Sequence, residues 1–183
     1  VDAGRKFKDC LSDTARHFEE LVKPLLQRYN KFKTVTSVEA NSTEELAYML
    51  DVNVGVDAFF SNSTGMGGLA SRIQPKCKKS WNTFTVRKSR ESGVKTEYQK
   101  RKEAIESGGE LFYPYYTMQA YLDEEESLLS FAVAKTEDII ELIDIGECTT
   151  KHTGINQNGQ AEFYVVSWTT FDKNNKPIFI YKP

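Results

Sequence analysis

The run VGVDAFF (54–60), SNSTGMGG (61–68), LASRIQ (69–74) decides how this chain folds. Its first segment is rich in β-branched and aromatic residues, its middle in Gly, Ser and Asn, and its last returns to apolar residues at Leu69, Ala70 and Ile73. That pattern predicts two antiparallel strands joined by a turn over 61–68. Working downstream, NTFTVR (82–87) reads as a third strand. Thr96 and Gln99 then form a capping box that opens a helix through about Ser107, ended by Gly108 and Gly109. YTMQAYL (116–122) and LLSFAVA (128–134) supply two more strands, and Thr136 caps a helix to Asp144 that Gly146 closes. AEFYVVSWTTF (161–171) and IFIY (178–181) read as a closing hairpin. Upstream, Ser42 and Glu45 form another capping box, with a helix over 43–51. Apolar residues at three- and four-residue spacing from Phe7 to Tyr29 predict an amphipathic N-terminal helix that Pro24 kinks, with His17 and Glu20 facing solvent. The order α, α, β, β, β, α, β, β, α, β, β, without a repeat or a long linker, gives one α/β domain over 1–183.

Composition removes whole classes of function. The chain has 183 residues and 39% hydrophobic content, enough for an ordinary packed core. Its apolar runs, such as FAVA (131–134), fall far short of the roughly 20 residues of a membrane span, and no apolar leader is visible at the start. The expectation is a cytoplasmic protein without a membrane partner. Cys10, Cys77 and Cys148 are an odd number with no CxxC pair, which predicts reduced thiols. Two histidines, His17 and His152, leave no room for histidine-rich metal sites, and neither stands in a nucleophile-elbow context. The glycines of 63–68 lack the spacing of a phosphate-binding loop.

Charge is unevenly placed. Between Arg72 and Lys102 eleven basic residues face two acids, a balance of +9 that leaves −11 for the rest of a chain whose net charge is −2. Trp81, Phe84 and Tyr98 are interleaved with that block. Cations release counterions from a phosphate backbone and aromatics stack on bases, so the block predicts a nucleic-acid partner, DNA in the first place. The contact residues expected on this ground are Arg72, Lys78, Lys79, Arg87, Lys88, Arg90, Lys95, Lys100 and Arg101.

Metal-assisted cleavage of a phosphodiester needs an acidic ligand, a second oxygen ligand and a cation that orients water or neutralises developing charge. Asp57 on the first strand of the hairpin, with Gln74 and Lys76 two apart on the second, offers that set. With GVD (55–57), QPK (74–76) and the α-β-β-β-α-β order over about 42–122, the chain resembles the PD-(D/E)XK nuclease superfamily. The resemblance implies a restriction-endonuclease-like core, with Asp57 and Gln74 on magnesium or manganese and Lys76 assisting attack by water. Three letters depart from the pattern. Gln74 stands where an acid is usual, and an amide oxygen binds a hard cation more weakly than a carboxylate. Pro75 tends to end strand pairing, which puts Lys76 beyond the strand. Asp57 is not preceded by Pro. Arg72, on the strand face of Gln74, is the alternative cation, and Glu45 and Asp51 are candidates to restore the missing negative charge, Glu45 as a metal ligand. Gln119 and Tyr121 read as sheet and core. The functional expectation is a metal-dependent endonuclease or nuclease-like DNA-processing protein, with homodimerisation open. Two alternatives stand beside it: a catalytically inactive nucleic-acid-binding module on the same fold, and an interaction protein of phage or mobile-element defence or counter-defence.

Overall fold

The structure is a computed structural model that describes residues 15–28, 32–38, 49–63, 65–90, 93–152 and 161–183. Among them the strands are β1 (Thr34–Ser37), β2 (Ala58–Asn62), β3 (Gly65–Gln74), β4 (Thr83–Arg90), β5 (Tyr116–Leu122), β6 (Leu128–Lys135), β7 (Thr149–His152), β8 (Ala161–Ser167) and β9 (Ile178–Tyr181). The helices are α1 (Lys23–Arg28), α2 (Glu97–Glu106), α3 (Thr136–Asp144) and α4 (Trp168–Lys173), with π-helical turns at Phe18–Val22 and Met49–Val54. The protein is a mixed α/β structure built on two sheets, one ordered β1-β2-β3-β5-β6-β9 and the other β4-β8-β7. No helix among the described residues is long and apolar enough to cross a membrane.

The six-stranded sheet is covered on both faces. Its strands β5 and β6 are the most apolar, and both carry runs of five or more buried residues, as central strands between two layers must. On one face Ala58, Phe60, Leu69, Ile73, Met118 and Phe131 pack against Phe18, Val22 and Leu26 of the N-terminal helical segment. Each fully buried Leu or Phe there contributes about 1.5–3 kcal/mol. On the other face Tyr121, Ala132 and Ala134 meet Phe84, Val86 and Val166 of the second sheet, Ile139 and Leu142 of α3, and Trp168 and Phe171 of α4.

Several sequence expectations change in this frame. β2 and β3 do form an antiparallel hairpin, but it is tighter than expected: Asn62 pairs with Gly65, and the Gly-rich segment is strand. A Cβ at Gly67 would come within 2.6 Å of the Phe60 ring, and one at Gly68 within 2.8 Å of Val56, so glycine lets the chain run flat against these side chains. β4 does not join β3. Pro75 ends the strand, Lys76 (φ 58°) and Asn82 (φ 51°) adopt left-handed corners, and the chain is redirected into the second sheet. The hairpin expected from 161–181 does not form either. β8 pairs with β4 and β7, α4 follows it, and β9 returns to the large sheet beside β6.

The capping box of Thr96 and Gln99 is present on α2. α3 spans Thr136–Asp144 as expected, but Lys135 is its N-cap, and Thr136 instead exchanges a hydroxyl hydrogen bond with Thr117 at 2.9 Å. Pro24 produces no simple kink. The turn before it widens so that the Lys23 N–H donates five residues back to Phe18, which spares the donor that proline lacks. His17 is buried at 3% exposure, close to Glu126, whereas Glu20 is exposed as expected. Residues 1–14 and the capping box of Ser42 and Glu45 lie outside the described residues. Cys77 and Cys148 are free thiols, both pushed up by burial.

Candidate functional site

A cleft of about 420 Å³ lies where β3 and β5 of the large sheet, β4 of the second sheet and α2 converge. Each element brings a polar side chain to it for a local reason. Period-two alternation on β3 buries Leu69 and Ile73 on one face and turns Arg72 to the other. The same alternation on β5 buries Met118 and Ala120 and sends Gln119 to the cleft. On β4, Phe84 and Val86 enter the core while Thr85 and Arg87 face the cleft. On α2, residues four apart share a face, which places Glu97 and Arg101 together.

Glu97 is the hub of the site. Its Oε1 accepts from Arg101 Nη2 at 2.6 Å, and its Oε2 accepts from Arg72 Nη2 and from the Arg87 backbone N–H, both at 3.1 Å. Burial opposes ionisation of this carboxyl, but the Arg101 and Arg72 charges, the Arg87 N–H and the Arg87 charge outweigh it and hold Glu97 below the usual carboxylate range. Arg72 also donates through Nη1 to Thr85 Oγ1 at 3.0 Å, and Arg72 and Arg87 each stand 5.4 Å from the Phe163 ring centroid. Arg101 is 3% exposed, and its Nε and Nη1 have no hydrogen-bond partner among the described residues. Burial and the neighbouring Arg72 charge lower its affinity for the proton on balance, against the opposing pull of Glu97 and Asp57.

Of the sequence-derived candidates, Asp57, Arg72, Arg87, Lys100 and Arg101 line this one cleft. Gln74 and Lys76 do not. The Asp57 N–H donates to the Leu69 carbonyl, so Asp57 is level with Ala70, and four residues of extended strand, about 13 Å, separate that level from Gln74. Gln74 is exposed, and Lys76 lies beyond the strand, where its N–H donates to the Asp123 carbonyl. The tight hairpin is the cause, because it shifts the register that a longer turn would have set. Asp57 itself accepts the Ser71 backbone N–H at Oδ2 and so extends the β2–β3 ladder past the start of β2.

The other expected contact residues are dispersed. Lys88 is committed to Glu162 at 3.4 Å and Lys95 to Glu103. Lys78 and Lys79 are exposed near the start of β4, where Lys79 and Lys151 stand 5.7 and 5.2 Å from the Trp81 ring centroid. Glu45 and the side chains of Asp51 and Arg90 lie outside the described residues. No cluster of three or more His, Cys, Asp or Glu suited to a metal ion occurs among the described residues. Glu97 was not among the expected cleft residues, and Gln119, read as sheet and core, is indeed a buried β5 residue, 1% exposed, whose side chain also lines the cleft. The helix-face spacing of Glu97 and Arg101 was the available signal for the first, whereas Gln119 enters through the packing of two sheets.

Compared with known proteins, the chain matches no family model, no curated protein and no solved structure. The functional reading therefore rests on the chemistry of the cleft. Four cations, Arg72, Arg87, Lys100 and Arg101, share it with two carboxylates, Asp57 and Glu97. Such a cleft suits a polyanion that supplies acceptor oxygens.

Proposed function

We propose that the protein binds nucleic acid by gripping the phosphodiester backbone in this cleft, on a fold of restriction-endonuclease-like type. The observation that carries the reading is the convergence of Arg72, Arg87, Lys100 and Arg101 on one cleft. Buried Arg101, held by Glu97, contributes positive potential from below, and a phosphate oxygen meets the donors of the other three. Support for the fold type comes from β2 and β3, an antiparallel pair that leads through α2 to β5, parallel to β3.

A second reading is metal-dependent phosphodiester cleavage with magnesium or manganese. Asp57 favours it, since a carboxylate beside a phosphate site repels the ligand unless a cation lies between them. Gln74 is too far along β3 to complete such a centre with it. Gel retardation of plasmid and single-stranded DNA tests the binding reading, with magnesium, manganese or EDTA present to test cleavage in the same reactions. The expected outcome is retardation that the Arg87→Ala/Lys100→Ala variant weakens at least tenfold. Metal-dependent nicking that disappears in Asp57→Ala would establish the second reading. Absence of both retardation and nicking with the wild-type protein would refute both.

A further inference from the structure

A second cavity, of about 790 Å³, lies at the other end of the same two strands, where β3 and β5 begin. Its walls are Phe60, Met66, Phe112, Tyr115 and Tyr116, with the backbone of Gly67 and Gly68 between them. Several of these groups are open to solvent: Met66 is 76% exposed, Phe112 53% and Tyr115 42%. Burying so much apolar surface is favourable for whatever enters, and the available faces are mostly aromatic planes.

We infer that this aromatic cavity receives unpaired bases of a single strand whose phosphates occupy the Arg101 cleft. The inference rests on the phosphate-binding reading above and adds the substrate class, single-stranded in preference to duplex nucleic acid. Two features argue for bases over other occupants. The cavity adjoins the cationic cleft along β3, where Gly68 lines one and Ala70, on the same strand face and about 7 Å away, lines the other. At the boundary, the ring of Phe112 stands 6.3 Å from that of Phe59, which lies on the strand face of Asp57. The cavity's own charged residue is the exposed Glu110, so the phosphates are confined to the cleft and only bases enter here. Alternation of cation and aromatic plane along one path is the pattern that holds a single strand, since every base has a π-face and every nucleotide a phosphate. Paired bases present no open face to such a cavity.

The test compares fluorescence anisotropy of three labelled probes: an oligothymidylate, an abasic phosphodiester strand of the same length, and a blunt duplex. The wild-type protein should bind the oligothymidylate about tenfold or more tighter than the abasic strand, the change that one stacked base carries. The Phe112→Ala/Tyr115→Ala variant should lose that difference while binding the abasic strand as the wild type does, which also shows that its fold and phosphate cleft are intact. Equal wild-type affinity for the base-bearing and abasic strands would overturn the inference and leave phosphate binding standing. A difference that survives in the double variant would overturn it as well. Conversion of a wild-type dimer to monomer by the same variant, seen in sedimentation, would assign the cavity to a second copy of the chain. Binding of none of the probes would remove the phosphate reading and this inference together.

Discussion

One carboxylate, Glu97, serves three partners: the guanidinium groups of Arg101 and Arg72 and the backbone N–H of Arg87. Removing its charge leaves Arg101, whose side chain is 4% exposed, without its counter-ion in the interior. Loss of one member of a buried pair costs about 3–5 kcal/mol, so Glu97→Gln should lower the chemical-denaturation stability at pH 7 by that order. The pH dependence follows from the direction of the Glu97 shift. A carboxyl held below its ordinary value of 4.5 contributes stability that is complete above that value and lost as pH falls through the folded one. The wild type should therefore lose stability steeply below about pH 4.5, and Glu97→Gln should show a shallower acid limb. Parallel acid limbs in thermal melts across pH 3 to 7 would show that Glu97 does not carry the linkage.

Among the elements, Gln119 and Tyr121 of β5 fasten the second sheet to the first. Gln119 Oε1 accepts from the Thr85 N–H at 2.8 Å and from Thr85 Oγ1 at 3.1 Å, and its amide donates to the Tyr121 hydroxyl, which itself donates to the Thr83 carbonyl at 2.8 Å. Gln119 is 1% exposed, so Gln119→Leu strands the Thr85 N–H and should cost about 1–3 kcal/mol. Hydrogen exchange at Thr85 should accelerate more than exchange at Met118, and equal acceleration would mean that the fastening does not act locally. Elements that declare themselves within a few residues were legible in the sequence. The Thr96 and Gln99 capping box needs only its own turn, and the apolar runs of β5 and β6 fit only between two layers. β1 and β7 were not legible, being four-residue strands defined by distant partners, β7 exposed throughout. α4 carries β-favouring residues, WTTFDK, and is helical because a helical turn buries Trp168 and Phe171 on one side. Propensity located β4 and the second half of β3, but nothing local to either tells that they belong to different sheets.

At the scale of the molecule, the basic block contributes four cations to one cleft, for a reason only partly visible in its charge count. Arg72, Arg87, Lys100 and Arg101 converge because β3, β4 and α2 do, while Lys88, Lys95 and Lys102 answer Glu162, Glu103 and Asp144. Those three lysines stand outside the cleft, so a phosphate seated in it does not meet them. The salt dependence of DNA binding should thus report the cleft and not the sum of the block. With two to four phosphate contacts, the log-log slope of affinity against salt on duplex DNA should lie between about −2 and −4, far shallower than eleven cations acting together would give. Arg87→Ala/Lys100→Ala should reduce its magnitude by about two, at about 0.9 per contact, and Lys88→Ala/Lys95→Ala should leave it nearly unchanged. The comparison is a salt titration of the three proteins against one duplex. Equal losses in the two double variants would mean that the phosphates meet a diffuse basic surface, and the convergence of strands and helix at Arg101 would then serve the fold alone.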